Sequence, residues 1–158
     1  MSAKPTILFV HGSWHTPKHF ERVEELFHSH GYDTICPRQP SAGKLPPIGL
    51  MEDAQCIKSE LERLIEVENK EVIIIAHSYG GMVTTQGAEK EYGKAVREED
   101  GKKGGIVRIV YMCAFVLPLG ESLGSGLGGG PPPDTKLPPF LPVDVYVHSI
   151  CLFKNQPD

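Results

Sequence analysis

The stretch EVIIIAHSYGGMV, from Glu71 to Val83, constrains the fold of this 158-residue chain more than any other. Its β-branched apolar run predicts a strand buried on both faces, and the residues after the serine have the pattern of a helix. Ala76 and Gly80 flank Ser78 with small residues, which a sharp turn requires because it crowds the backbone. The stretch therefore predicts a strand–turn–helix unit that exposes the Ser78 hydroxyl at the carboxyl end of a sheet.

Strand and helix patterns alternate through the first 117 residues. The predicted strands are TILFV, YDTICP, EVIIIA and IVRIVYMCAFV. A first helix is predicted from Thr16, as N-cap, to Gly31, and its apolar face consists of Phe20, Val23, Leu26 and Phe27. A second helix has its apolar face at Ala54, Ile57, Leu61, Leu64 and Ile65. This alternation predicts an α/β fold with a doubly wound, mainly parallel sheet and helices on both faces.

Three segments lack a strong apolar pattern. Residues 89–105 are charged and contain glycine, which predicts a helix end followed by a solvated loop. Glycine and proline dominate residues 118–142, and residues 119–142 are predicted to lack regular structure. Residues 143–158 show a short alternation that predicts one more strand. We therefore divide the chain into a core (1–117), a cap or linker segment (118–142) and a divergent tail (143–158).

Charge and motif content argue against several classes of partner and cofactor. The formal net charge is −4 and basic residues are scattered among acidic ones, so nucleic acid is not an expected partner. Residues 124–129 match G-x-G-x-x-G, but prolines follow where a dinucleotide site needs a helix, so no cofactor is predicted. The spacing of His11, His15 and His19 is that of helical metal ligands. Because Gly12 and Pro17 interrupt any helix there, no metal is predicted.

Cysteine usage and hydropathy bear on the compartment. The chain has four widely spaced cysteines without a C-x-x-C pair, which indicates neither a zinc ribbon nor a disulfide scaffold. The apolar run near the N terminus is too short for a secretory signal or a membrane-spanning helix. A cytoplasmic protein with reduced thiols and no membrane partner is the expectation.

Two motifs together resemble the α/β-hydrolase superfamily. His11-Gly12-Ser13-Trp14 ends one predicted strand, and the turn at Ser78 follows the next-but-one strand, as the nucleophile elbow does in that superfamily. ILFVHGSWHTPKHF and AHSYGGMV are similar to the small plant and fungal methylesterase and hydroxynitrile lyase-like branch. The resemblance spans residues 6–133 and implies the N-terminal portion of an α/β-hydrolase fold. It departs from the family pattern where alanine replaces the first glycine of the elbow.

The resemblance implies a role for each motif residue. Ser78 is the expected nucleophile, and the backbone N–H groups of Ser13 and Tyr79 are the expected oxyanion hole. Gly12 and Trp14 are expected at the substrate pocket. Some lyase relatives carry a hydroxyl residue where Gly12 stands, so this glycine favours an ester hydrolase.

The remaining catalytic residues are harder to find. The superfamily places the acid and then the histidine on loops after two later strands. The four predicted strands correspond by resemblance to the third through sixth of the family's sheet, so those loops are expected beyond residue 158 and the chain is expected to be truncated. His77 is not the base by the same resemblance. His148 is the remaining candidate base, although it lies inside a predicted strand; the candidate acids are Asp134, Asp144 and Asp158.

Three functions stay open. The chain is a serine hydrolase acting on a small carboxylic ester, an inactive truncated relative that serves as a binding protein or pseudoenzyme, or a lyase on the same scaffold. The apolar strand at 106–114 would lack a neighbour in a truncated chain, which predicts self-association through the sheet edge. Pairing of residues 143–153 with that strand would cover part of the edge.

Overall fold

A computed structural model describes residues 4–44, 47–117, 121–123 and 146–147. Its main feature is a four-stranded, wholly parallel sheet in the order β2-β1-β3-β4. The strands are β1 (Thr6–Val10), β2 (Thr34–Ile35), β3 (Glu71–His77) and β4 (Gly105–Met112). The predicted doubly wound parallel sheet is confirmed.

Within the described residues, four α-helices connect or follow these strands: α1 (Glu21–Ser29), α2 (Leu50–Glu62), α3 (Gly80–Gly87) and α4 (Lys94–Glu99). Helix α2 continues into a π-helical turn at Arg63–Val67, and 3-10 turns occupy Pro17–His19 and Lys90–Tyr92. No helix in the described ranges is both long and apolar enough to cross a membrane.

Helices cover both faces of the sheet, as predicted. All five residues of β1 are buried, which explains its unbroken apolar sequence. Ile7 and Phe9 point to one face, where they pack with Phe20 and the apolar side of α1. Leu8 and Val10 point to the other face and join the larger core formed with α2 and α3. The two faces follow from the period-two alternation of a strand.

The first helix differs from its prediction in two ways. A 3-10 turn, closed by the Phe20 N–H donating to the Pro17 carbonyl at 2.8 Å, precedes α1, so the α-helix begins four residues later than expected. Leu26, predicted on the apolar face, has 58% of its surface exposed. Val23 and Phe27 already cover this side of the sheet, which leaves Leu26 turned to solvent.

Helix α4 corrects the prediction of a solvated loop over residues 89–105. Arg97 on this helix is only 3% exposed and pairs with Glu66 of the π-helical turn. Its guanidinium also donates to the Lys103 carbonyl at 2.9 Å. A buried, fully partnered arginine therefore fixes a segment whose composition is typical of a loop.

Strand β4 lies at the edge of the sheet and pairs only with β3 among the described strands. Val107, Val110 and Met112 are each more than a third exposed. The tail strand is seen at β6 (Tyr146–Val147), but β6 pairs with β5 (Glu121–Ser122) in a separate antiparallel sheet and not with β4. The prediction that 119–142 lacks regular structure is wrong at β5, and the rest of that segment, apart from Leu123, lies outside the described residues. The division into three parts stays a prediction.

Candidate active site

Ser78 occupies the turn between β3, which ends at His77, and α3, which begins at Gly80. Its φ is 54°, in the left-handed region that a residue with a side chain enters at a cost of about 1–2 kcal/mol. The Ser78 carbonyl accepts hydrogen bonds from the N–H groups of Gly81, at 3.0 Å, and Phe115, at 3.1 Å. The strained turn is therefore fixed both by its own helix and by the segment after β4.

Gly80 lets this turn approach the neighbouring strand. A Cβ atom at Gly80 would lie 2.2 Å from the Val10 carbonyl oxygen, closer than any real contact. Helix α3 can begin against the end of β1 only because this residue has no side chain. The small residue that the sequence places after the elbow serine thus has a direct steric reason.

The Gly12 loop lies beside Ser78. Strands β1 and β3 are parallel neighbours with Val10 opposite Ala76, so the residues that follow both strands meet at one sheet edge. A Cβ atom at Gly12 would lie 3.0 Å from the Ser78 Cβ. The two sequence motifs are therefore in van der Waals contact, and any side chain at position 12 would press on the serine.

The carboxyl edge of the sheet concentrates unusual backbone geometry. Of the four non-glycine residues with positive φ in the described part of the chain, Trp14, Ser78 and Cys113 follow the ends of β1, β3 and β4. Strained backbone at one location is a recurrent property of functional sites. Among the described residues, no acceptor is bonded to the backbone N–H of Ser13 or of Tyr79. Both donors are thus available to a ligand.

A cavity of about 290 Å³ adjoins these loops. Its lining includes Gly12, Ser13, Trp14 and Tyr79, four of the residues predicted for the site, and Trp14 is 58% exposed at its rim. A larger cavity of about 530 Å³ lies between α3, α4 and β4, and none of the predicted site residues that the structure describes lines it. The smaller cavity is the relevant one, because Gly12 connects it to Ser78.

Two histidines near Ser78, His11 and His77, belong to the packed structure. His11 is buried, its Nδ1 donates to the Gly12 carbonyl at 3.0 Å and its Nε2 accepts from the Gln39 N–H at 3.3 Å. Burial lowers the pKa of His11, and burial followed by the proximity of His15 lowers the pKa of His77. With both ring nitrogens occupied, His11 is a poor metal ligand. The described residues contain no group of three side chains suited to a metal ion.

Asp53 is a site residue that sequence reasoning missed. This fully buried carboxylate accepts from the Ser41 N–H at 2.8 Å, the Ser41 hydroxyl at 2.5 Å and the Tyr79 hydroxyl at 2.9 Å. Burial first, and then the Asp53 charge and hydrogen bond, raise the pKa of Tyr79, so its hydroxyl remains a donor. The sequence did contain a signal for this residue. Asp53 lies four positions before Ile57, so it shares the apolar face of α2, where an acidic residue is unusual.

Other predicted residues lie outside this description. His148, the candidate base, and the candidate acids Asp134, Asp144 and Asp158 fall among residues that the structure does not describe. Their assignments stay predictions.

Comparison with known proteins agrees with the fold. The sequence profile of the "Alpha/beta hydrolase family" matches residues 7–150. The chain belongs to the alpha/beta hydrolase family. Its four-stranded sheet and helices represent the N-terminal part of the α/β-hydrolase fold.

Two fungal relatives are hydrolases by name. "Alpha/beta hydrolase nvfD" of Aspergillus novofumigatus is 30% identical over 121 residues, which cover 76% of this chain and 47% of the relative. "Probable hydrolase R7" of a Phoma species is 33% identical over 129 residues, with 80% and 49% covered. This α/β hydrolase thus spans about half the length of the relatives that it matches.

Solved structures of other members share the fold. An extracellular α/β-hydrolase from a Paenibacillus species superposes with a TM-score of 0.58 at 21% identity, covering 77% of this chain and 46% of that one. The pyrethroid hydrolase PytH superposes with a TM-score of 0.56 at 17% identity, covering 81% and 47%. At these identities the likeness extends to the fold alone.

Proposed function

We propose that this α/β hydrolase presents the nucleophile of a carboxylic ester hydrolase, with Ser78 as that nucleophile. The observation that carries the proposal is the strained turn at Ser78 in contact with Gly12 at the carboxyl edge of the sheet. Ligands of open α/β sheets bind beyond the carboxyl ends of the strands. A relative named "Carbendazim hydrolyzing esterase", from a Nocardioides species and 26% identical over 136 residues, supports a small-molecule ester as the substrate. Membership of the small plant and fungal methylesterase branch is part of the proposal.

In the proposed reaction, the Ser78 hydroxyl oxygen attacks the ester carbonyl carbon and loses its proton to a base. The carbonyl oxygen becomes negatively charged and accepts hydrogen bonds from the backbone N–H groups of Ser13 and Tyr79, each worth a few kcal/mol in such sites. The alcohol then leaves, and water hydrolyses the acyl-enzyme. The free N–H groups at both positions support this assignment.

The acid and base of the reaction are proposed to lie outside the described residues. His77 precedes the serine, and its lowered pKa makes it a weak proton acceptor. His148 remains the candidate base within the sequence. Removal of the histidine from a serine triad lowers turnover by about 10⁶. A chain without its own base would therefore bind esters and react slowly.

The decisive experiment measures hydrolysis of p-nitrophenyl acetate by the chain and by its Ser78→Ala and His148→Ala variants. Slow release that Ser78→Ala abolishes and His148→Ala leaves unchanged is expected. Ser29→Ala, at a solvent-exposed position on α1, is the matched control. Fast turnover that both test substitutions abolish would overturn the expectation of a slow reaction without a base, and it would establish His148 as the base. Release unaffected by Ser78→Ala would overturn the nucleophile.

Two alternative functions, a lyase and a non-catalytic binding protein, would give different results with the same protein and variants. A lyase would release aldehyde and cyanide from a cyanohydrin without hydrolysing esters. The contact of 3.0 Å between a Cβ at position 12 and Ser78 disfavours the hydroxyl residue of the lyase relatives there, and so favours the esterase. A binding protein or pseudoenzyme would bind the ester with no turnover that depends on Ser78.

Location and self-association complete the proposal. A cytoplasmic location is inferred from free thiols, and Cys36, Cys56 and Cys113 are unpaired among the described residues. Self-association is inferred from the exposed apolar side chains of β4, because an unpaired strand edge templates contact with another chain.

A further inference from the structure

We propose that the cavity beside Gly12 selects esters that carry a free carboxylate, and that Arg38 is the residue that recognises this group. The inference rests on the proposed function, because it places the anionic end of the substrate in the cavity next to Ser78. Neither the hydrolase relatives nor the motif resemblance assigns a role to Arg38. The argument depends on the charge of the lining, the geometry of the guanidinium and the position of the cavity.

Among the described residues, the lining carries positive charge and no acidic side chain. The 290 Å³ cavity adjoins a second cavity of about 390 Å³, and both are lined by Arg38 and Gly43. Lys44 lines the second cavity, so the combined space faces two cations. Asp53 accepts hydrogen bonds from two lining residues, Ser41 and Tyr79, but it does not line the cavity itself. It is fully buried, and both of its carboxylate oxygens already accept hydrogen bonds. An anionic ligand group would therefore meet attraction without a competing carboxylate at the surface.

Arg38 is held in place without being neutralised. Its Nε and Nη2 atoms donate to the Ala42 carbonyl at 3.1 and 2.9 Å, and a carbonyl carries no net charge. In the described part of the chain no carboxylate pairs with this guanidinium, and its Nη1 donors have no partner. A planar guanidinium with free donors matches the geometry of a carboxylate. The restraint from Ala42 also reduces the ordering needed on binding.

Gly43 makes this arrangement possible. Its φ is 101°, and a Cβ atom there would lie 2.9 Å from the Arg38 Nη2. A side chain at position 43 would displace the guanidinium as well as strain the turn. Gly43→Ala therefore offers a second way to move the Arg38 charge without removing it.

The position of the cavity defines the ligand class. The same cavity is lined by Arg38 and by Gly12, where a Cβ atom would lie 3.0 Å from the Ser78 Cβ. Trp14, which is largely exposed, adds an apolar ring to the lining. A half-ester of a dicarboxylic acid would place its ester near the serine and its carboxylate against Arg38. A diester of the same acid would leave Arg38 without an anionic partner.

Trp14 provides a direct binding signal, because it is the sole tryptophan of the chain and lines this cavity. The test uses the full chain carrying Ser78→Ala, so that no hydrolysis interferes. Monomethyl glutarate and dimethyl glutarate are titrated while Trp14 fluorescence is recorded. The half-ester should saturate the signal at a concentration at least about tenfold lower than the diester, as expected for a charge-assisted contact. Added salt should weaken binding of the half-ester only.

Substitutions identify the recognising group. Arg38→Ala and Gly43→Ala should each weaken half-ester binding about tenfold and leave diester binding unchanged, and Arg38→Lys should restore part of the loss. Arg22→Ala, which removes an exposed arginine of α1 outside both cavities, should have no effect. Circular dichroism of each variant establishes that it is folded.

Three results would overturn the inference: equal affinity for the two esters, an Arg38→Ala variant that binds the half-ester as tightly as its parent, or no fluorescence change with either ester. A failure of the proposed hydrolase function would appear separately, as release of p-nitrophenol that does not depend on Ser78. The two outcomes are therefore distinguishable.

Discussion

Asp53 should be among the most sensitive polar positions of this α/β hydrolase. Its carboxylate is fully buried and accepts three hydrogen bonds, two from Ser41 and one from Tyr79. These bonds tie helix α2 both to the loop after β2 and to Tyr79, the residue after Ser78. The substitution Asp53→Ala would break all three bonds.

The expected loss follows from the bonds that would break. Hydrogen bonds to a charged group contribute about 1.5–3 kcal/mol each, and buried donors left without a partner add about 1–3 kcal/mol each. Tyr79 is only 6% exposed, so its hydroxyl would become a buried donor without a partner. Because the alanine also removes a buried charge, the net loss should be about 3–5 kcal/mol. Most proteins have a total stability of about 5–15 kcal/mol, so this loss is a large fraction of it.

The assay is equilibrium unfolding in urea, with the midpoints of Asp53→Ala, Tyr79→Phe and the double variant compared. Tyr79→Phe alone, which removes one hydrogen bond to the charged Asp53, should lower the free energy of unfolding by about 1.5–3 kcal/mol. The double variant should lose less than the sum of the two single losses, because the substitutions remove a shared bond. Asp33→Ala is the matched control, since its side chain is 80% exposed and it should change stability by no more than about 0.5 kcal/mol. A loss at Asp53 as small as at the control, or additive losses, would refute the reasoning.

Three further predictions concern thiols, protons and the sheet edge. Burial, and then the charge of Glu24, raise the pKa of Cys36 to about 12. In a Cys151→Ser variant, iodoacetamide should therefore alkylate the exposed Cys113 well before Cys36. Equal alkylation rates of the two cysteines, measured by peptide mass spectrometry, would contradict this prediction. Burial lowers the pKa of His11. Near pH 6.5 the histidine therefore takes up a proton in the unfolded chain but not in the folded chain, which favours unfolding. The urea concentration at the unfolding midpoint should fall as the pH decreases below about 6.5. A midpoint that stays constant between about pH 7.5 and 5.5 would argue against a buried neutral His11. Val110→Lys on β4 should shift the sedimentation profile toward monomer because edge lysines oppose strand pairing, whereas an unchanged profile would locate self-association elsewhere.

The sheet and the elbow were predictable because local sequence determines them. A strand buried on both faces must be apolar at every position, which makes β1 visible, and the sharp turn at Ser78 admits only small flanking residues such as Gly80. The contact between Gly12 and Ser78 then follows from parallel strands that end at one edge. These features need no knowledge of distant partners.

The features that sequence reasoning missed depend on such partners. Helix α4 is held by Arg97, whose ion-pair partner Glu66 lies 31 positions earlier in the chain. Asp53 bonds to Tyr79, 26 positions later. Neither pair leaves a periodic pattern, and both appear in the sequence as ordinary charged or polar residues. Leu26 was misplaced because helical spacing alone does not reveal that Val23 and Phe27 fill the contact with the sheet.

The identity of the nucleophile is the central claim, and covalent labelling tests it most directly. Diisopropyl fluorophosphate phosphorylates a nucleophilic serine: the oxygen–phosphorus bond forms, the phosphorus–fluorine bond breaks, and fluoride and a proton are released. Because the proposed base lies outside the described residues, the reaction should be slow, and the reagent is used in excess over a long incubation. Incubation of the chain with this reagent, followed by tandem mass spectrometry of its peptides, should place a single adduct on Ser78, and the adduct should be missing from the Ser78→Ala variant. An adduct on another serine, such as Ser13 or Ser41, with Ser78 unmodified would contradict the account.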